Sequence, residues 1–393
     1  MAKSIKNFTA LLKTYGILVS HTKLASPLRL IFSPLVNACR PALEPAPPAM
    51  LSAHGYTTVS DVVTHNLVPA DIADIEELLA TDDEGAPIDY AAIANIYIRG
   101  RHSVRRTKRM RPLRGFATSE ERFTAYFPAA VAYYDSPTFL HDLILSAIKG
   151  KSTFNSAPDD VRRQAIHHGL LSLMNYWVRF KIYAAAQKVA KNNFKPADGA
   201  PSNWDEAFAF YYGPEGKASL YAMAKNLSDV FALDEPINDV VLAALRKGQN
   251  KLMARQSAST KAEAIVTQLN RAFLLSLVQS AQEISEALAA GEAKQAQAAQ
   301  AKGRALYYAV APAVAAISPQ TDKQIVKALT SNLQPTTGDT LKTVTRSLLG
   351  DIGLAVEDMG TAFVAFQKGQ GTKNHRFRTS KGCLTNTTSG KQT

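Results

Sequence analysis

The densest chemistry-bearing segment runs from Arg99 to Arg114, where Arg99, Arg101, Arg105, Arg106, Lys108, Arg109, Arg111 and Arg114 bring eight cations together without an acid. Cations at this density suit phosphate oxygens, anionic lipid or an acidic protein surface. No aromatic residue lies between Tyr97 and Phe116 to stack on bases, which leaves nucleic acid the least favoured counterpart. The acids just before the run, Asp71, Asp74, Glu76, Glu77, Asp82, Asp83, Glu84 and Asp89, offer it counter-charge within the chain. A second group, Asp205, Glu206 and Glu215, supplies oxygen ligands of the kind a hard cation takes. Neighbouring side chains on a helix point about 100° apart, and Asp205 also suits a helix start beside Trp204. The expectation is therefore no metal site, with Asp205 and Glu206 as the only alternative ligands.

Other motifs fail their spacing tests. Gly150-Lys151-Ser152-Thr153 looks like the end of a phosphate-binding loop, but Leu145 stands where the leading glycine belongs and the preceding segment reads as helix. Gly213 to Lys217 fails in the same way and reads as a turn between helices. His167 and His168 are adjacent, so on a helix they diverge and cannot converge on one metal unaided. There is no HExxH, no GxSxG and no Cys/His cluster, and the two cysteines, Cys39 and Cys383, lie near opposite ends. The expectation is a non-enzymatic protein with no cofactor and no small-molecule substrate.

The elements that would carry these residues are helical, and the fold class is all-α: long amphipathic helices in a bundle-like body, with two helical halves as one possible arrangement. From Ser156, with Asp159 as a capping-box partner, the stripe Ile166, Leu170, Leu173, Trp177, Phe180, Ala184 steps by 4, 3, 4, 3, 4 and marks one long helix with a core face. Ala262, Ile265, Leu269, Phe273, Leu277, Ala281, Ile284 and Leu288 mark a second over about 259–290, followed by an Ala/Gln-rich helix ending near Pro312. Thr118 with Glu121, Ser202 with Asp205, and Pro69, Pro137, Pro236 and Pro319 signal further helix starts. The chain divides into 1–43, a Pro-rich linker 44–50, helical regions 51–195 and 196–366, and a basic tail 367–393. A faint echo links Pro128–Ile148 with Pro312–Leu329.

Charge is unevenly placed. Residues 1–43 carry six cations and no acid, the chain after Asp358 carries six more, and with the eight of 99–114 these exceed the net +12, so the remainder is net acidic. An acid-free N-terminus with an amphipathic stretch around Phe8, Leu11, Leu12, Tyr15 and Leu18 has the composition of an organelle presequence. No run of 18 apolar residues occurs, so no transmembrane helix is expected.

Asn203-Trp-Asp-Glu-Ala-Phe-Ala-Phe-Tyr-Tyr-Gly213, Gly216-Lys-Ala-Ser-Leu-Tyr-Ala222 and Asn238 to Lys251, with its Gly-Gln pair, resemble the green-algal iron-assimilation family of low-iron and high-CO2 inducible periplasmic proteins, over about 123–363. The presequence-like N-terminus and the basic run point further, to a mitochondrial descendant of that fold. In these the chain resembles the large algal-specific associated subunits of mitochondrial ATP synthase. That resemblance implies a non-catalytic structural subunit of the peripheral stalk and dimer scaffold, peripheral to the inner membrane. Its partners would be other subunits of that membrane complex, with Arg99 to Arg114 docking on them or on anionic lipid. The alternative is an iron-binding, iron-assimilation protein, and the third possibility an organelle nucleic-acid-binding protein.

Overall fold

The computed structural model describes residues 50–80, 87–105 and 107–351. The presequence expected over 1–43, the basic tail over 367–393, Asp82, Asp83, Glu84 and Arg106 lie outside the described residues.

The described chain opens with a two-stranded antiparallel hairpin, β1 (Ser52–Ala53) and β2 (Tyr56–Thr57), with Ala53 paired to Tyr56. Its turn residues His54 and Gly55 both have positive φ, 50° and 71°, the handedness that matches the twist of a two-residue hairpin loop. Apart from an isolated bridge between Val104 and Met110, the regular elements after it among the described residues are helices: α1 (Val63–Asn66), α2 (Val68–Leu79), α3 (Tyr90–Arg99), α4 (Leu113–Ala117), α5 (Glu120–Tyr126), α6 (Pro128–Tyr134), α7 (Phe139–Lys149), α8 (Asp159–Ala190), α9 (Ala200–Tyr212), α10 (Leu220–Val230), α11 (Ile237–Met253), α12 (Ser259–Ala289), α13 (Ala293–Tyr307), α14 (Ala311–Ile317), α15 (Pro319–Thr330) and α16 (Thr337–Asp351). The body is all-α, as the periodicity predicts.

Two helices organise it. At 32 residues, α8 spans about 48 Å at 1.5 Å per residue. It is flanked by α7, α9 and α13, while α12, of 31 residues, is flanked by α11, α13 and α16. Thus α13 packs against both long helices, and the buried side chains form one connected core from Tyr56 to Leu348.

The sequence assigns α8 a single core stripe, and the structure differs. Ile166, Leu170, Leu173 and Trp177 are buried and Phe180 is half-buried, but every residue from Gly169 to Arg179 is buried, so the helix is covered on all sides in its middle. The cause is the run Gly-Leu-Leu-Ser-Leu-Met-Asn-Tyr-Trp-Val, which is apolar all round, the signature of an interior helix. Polar groups within it find partners: Ser172 donates to the Ala305 carbonyl at 2.8 Å, and Arg179 reaches Asn175 and Asn270.

Helix starts shift by a few residues. Ser156 has a φ of 60°, and extended Pro158 precedes α8, so no capping box forms there. Ser202 lies inside α9, which begins at Ala200 because Pro201 suits a first-turn position. Ser119, not Thr118, precedes α5, and Pro137 stands ahead of Thr138 at the start of α7. The helix after Gly291 ends at Tyr307, since Pro312 starts the separate helix α14.

Candidate functional site

Asp205, the first acid of the expected metal alternative, is fully buried and receives five hydrogen bonds. Oδ1 accepts from the Tyr56 hydroxyl (2.6 Å) and Gln249 Nε2 (2.8 Å), and Oδ2 from the amides of Val59 (2.8 Å) and Ser60 (2.9 Å) and the Ser60 hydroxyl (2.8 Å). A carboxylate has about four lone-pair sites, so these donors occupy it fully. Burial pushes its carboxyl up, and the same donors oppose that shift. Asp205 therefore ties the N-terminal hairpin to α9 and α11.

Glu206, one residue on, points into a different setting. It ion-pairs with Lys181 of α8, and its Oε1 lies 3.4 Å from His65 Nε2 on α1. Arg111, from the loop between α3 and α4, also acts on this carboxylate electrostatically, Arg105 of the same loop acts on His65 and Arg111, and Arg122 from α5 acts on Lys181 and Arg111, its guanidinium 5.5 Å above the Trp177 ring. Lys181 and Arg111 thus share one acid, and two further cations add to the local positive charge. Burial lowers His65 to about 2, helped by Arg111, Lys181 and Arg105, so it is neutral. Arg111 is lowered to about 10 by burial and by Arg105, and Lys181 is lowered by burial against the pull of Glu206. Arg111 Nε, His65 Nδ1, Asn66 Oδ1 and Trp177 Nε1 are buried without a hydrogen-bond partner. The positive charge gathered here favours an anionic oxygen group and repels cations.

The rest of the basic run divides by environment. Arg101 pairs with Asp74 at 2.9 Å, and its amide and that of His102 donate to Asp71, so the acidic stretch neutralises one end of the run. Arg105 and Arg109 close a turn through their backbones, made possible by Lys108 at a φ of 58°. Arg99, Arg105, Lys108, Arg109 and Arg114 are exposed, whereas Arg111 turns inward. The seven described cations therefore lie in different environments, one salt-bridged, one turned inward and five exposed.

The remaining candidates are placed apart. Glu215 is exposed and pairs with Lys217 at 2.7 Å within the Gly213–Lys217 turn. His167 Nδ1 lies 3.0 Å from Glu76, and His168 pairs with the Gln164 carbonyl, its pKa pushed down by burial. Gly150 ends α7 in a left-handed conformation, which makes its segment a helix terminus. Among the described residues no three His, Cys, Asp or Glu side chains are grouped as around a metal ion, and no helix is long and apolar enough to cross a membrane. His65 and Lys181 were not legible as site residues, because each meets Glu206 only through tertiary packing.

The quoted motif residues form a close-packed unit. The Trp204 indole lies against Gly248, where a Cβ would fall 2.1 Å from Cζ2, and its Nε1 donates to the Leu245 carbonyl at 2.9 Å. Gln249, next to that glycine, holds Asp205, next to that tryptophan.

No curated protein and no solved structure matches the chain. One family model, described as low iron-inducible periplasmic protein, matches residues 40–337, which is more than half of the chain and includes this unit and the basic cluster. It corrects the expected mitochondrial location, since the matching family is described as periplasmic. The basic, acid-free start that suggested a presequence does not discriminate, because export signals also open with positive charge. A peripheral-stalk subunit of ATP synthase finds no support in the match, whereas the iron-related resemblance does. The chain belongs to the Fea1 family of low iron-inducible periplasmic proteins.

Proposed function

We propose that the protein serves iron assimilation at the cell envelope as a non-catalytic iron-handling protein made when iron is scarce. The observation that carries this reading is the family match over residues 40–337, which takes in every helix from α1 to α15. The two carboxylates are already engaged, Asp205 by five donors and Glu206 by Lys181 and His65, which argues against that pair as the iron ligands. The exposed cations Arg99, Arg105, Lys108, Arg109 and Arg114 serve contact with an acidic envelope surface, each contact being worth under about 1 kcal/mol and salt-sensitive.

The test is made in the source cell. Iron starvation should raise the abundance of the protein several-fold, and cells lacking it should accumulate less iron, as measured by mass spectrometry of washed cells. Abundance indifferent to iron, together with unchanged cellular iron in the deletion, sinks the reading.

A further inference from the structure

Ferric iron is a small, hard trivalent cation, and carboxylate and phenolate oxygens are the ligands that suit it. One place outside the basic cluster brings such oxygens together. Asp322 sits in the first turn of α15, Tyr307 is the last residue of α13, and Tyr133 lies near the end of α6. The Tyr133 and Tyr307 hydroxyls both donate to the same oxygen, Asp322 Oδ1, at 2.7 and 2.8 Å. Asp322 and Tyr307 are buried, while Tyr133 is half-buried and forms the edge toward solvent.

Asp205 is held by five donors, two of them backbone amides, whereas Asp322 takes two side-chain donors on one oxygen. Buried charges are ordinarily paired with an opposite charge or coordinate a metal. Asp322 makes no ion pair with a Lys, Arg or His among the described residues; only the two phenol protons are seen to answer it. Further aromatic hydroxyls surround the group: Tyr134 stacks on Tyr308 at 4.7 Å, and the Tyr176 hydroxyl reaches the Tyr308 carbonyl at 3.1 Å.

We propose that Tyr133, Tyr307 and Asp322 form a ferric-iron site, an inference that rests on the iron-handling reading above. On binding, the two phenol O–H bonds break and both protons pass to the buffer, while three Fe–O bonds to the protein replace bonds from iron to its chelator or water, which are released to solvent. Iron enters and stays as Fe3+, so no oxidant or reductant is needed. Two phenolates and one carboxylate cancel a charge of +3, giving a neutral buried complex. A divalent ion would leave a net negative charge there, which low-dielectric surroundings disfavour. In the metal-free protein burial and Asp322 raise both phenols well above their ordinary value, which keeps them protonated and bonded to the carboxylate; a trivalent ion in contact reverses that preference.

Ferric nitrilotriacetate is titrated into the purified full chain, followed by visible absorption and by iron retained after gel filtration. The expected result is one retained iron per chain with a phenolate-to-iron charge-transfer band. Tyr133→Phe should weaken the band, and Tyr133→Phe/Tyr307→Phe and Asp322→Asn should abolish it and lower retention at least tenfold, while Tyr134→Phe keeps both. Thermal unfolding checks each variant, and if the buried substitutions impair folding, half-buried Tyr133→Phe decides alone. Iron retained without the band, or retained equally by the variants, overturns this site and leaves the iron reading standing. No retention by a protein whose deletion still lowers cellular iron does the same. No retention together with no effect of deletion removes both.

Discussion

Gln249 on α11 donates its side-chain amide to Asp205 on α9 at 2.8 Å, in the interior of the molecule. The same amide nitrogen also donates to the Thr57 carbonyl on β2 at 2.9 Å, so a single side chain joins two helices and the hairpin. The Trp204-Asp205 and Gly248-Gln249 pairs therefore form a structural lock.

Asp205→Asn tests the lock. An amide cannot accept five hydrogen bonds, and its own NH2 faces donors, so several buried groups lose their partner. The loss of stability should be on the order of 3 kcal/mol, read from urea unfolding. The Asp205→Asn/Gln249→Ala cycle should show a coupling of about 1 kcal/mol or more. Additive effects would mean that the two side chains do not share one network.

Gly248→Ala isolates the second half of the lock. In an exposed helix this change stabilises by up to about 1 kcal/mol. Here the added methyl meets the Trp204 ring at 2.1 Å, so the indole must move, and overpacking of this kind costs about 1 to 3 kcal/mol. The denaturation midpoint should fall, and Trp204→Phe in the same background should recover part of the loss. A midpoint that rises would show that the indole is not wedged against α11.

The helices were legible because their period repeats within single segments, as in the stripe from Ile166 to Ala184. The complete burial of α8 was not, since it depends on α7, α9 and α13 arriving from elsewhere in the chain. Arg111 shows the same limit: in sequence it is one of eight equivalent cations, and only the fold separates it from exposed Lys108. The Tyr133, Tyr307 and Asp322 group was invisible for a different reason. Its members come from three helices, and tyrosine is common in cores, so no local spacing marks them. The echo between Pro128–Ile148 and Pro312–Leu329 touched the region, and in the structure α6 does pack against α14.

Acid should destabilise the protein through its buried histidines. His65 is lowered to about 2 and His168 also lies well below the ordinary value, burial being the main cause in each, so both are neutral in the folded chain near pH 6 and take up a proton on unfolding. The Glu206 oxygen near His65 favours a proton, but Lys181 already matches that charge. More protons bound by the unfolded state means that stability is full above about pH 6.5 and falls as pH drops below it, by up to about 1.4 kcal/mol per pH unit for each histidine. Melting temperatures from pH 7.5 to 5 should show this slope, and His65→Gln should flatten it. A slope unchanged in that variant would place the acid sensitivity elsewhere.

Glu206→Gln removes the acid that Lys181 and Arg111 share while keeping the shape of the side chain. Lys181 and Glu206 are each about 15% exposed, so the cost should lie near the lower end of that for a broken buried pair, about 3 kcal/mol. Most of it comes from the cations left facing one another, so Lys181→Met added to the same chain should restore part of the stability. Added phosphate should raise the melting temperature of Glu206→Gln more than that of the unaltered protein, because the carboxylate's place is then open to an anion. A variant as stable as the parent and indifferent to phosphate would show that water already screens these charges, and that the cluster is not an anion-binding environment.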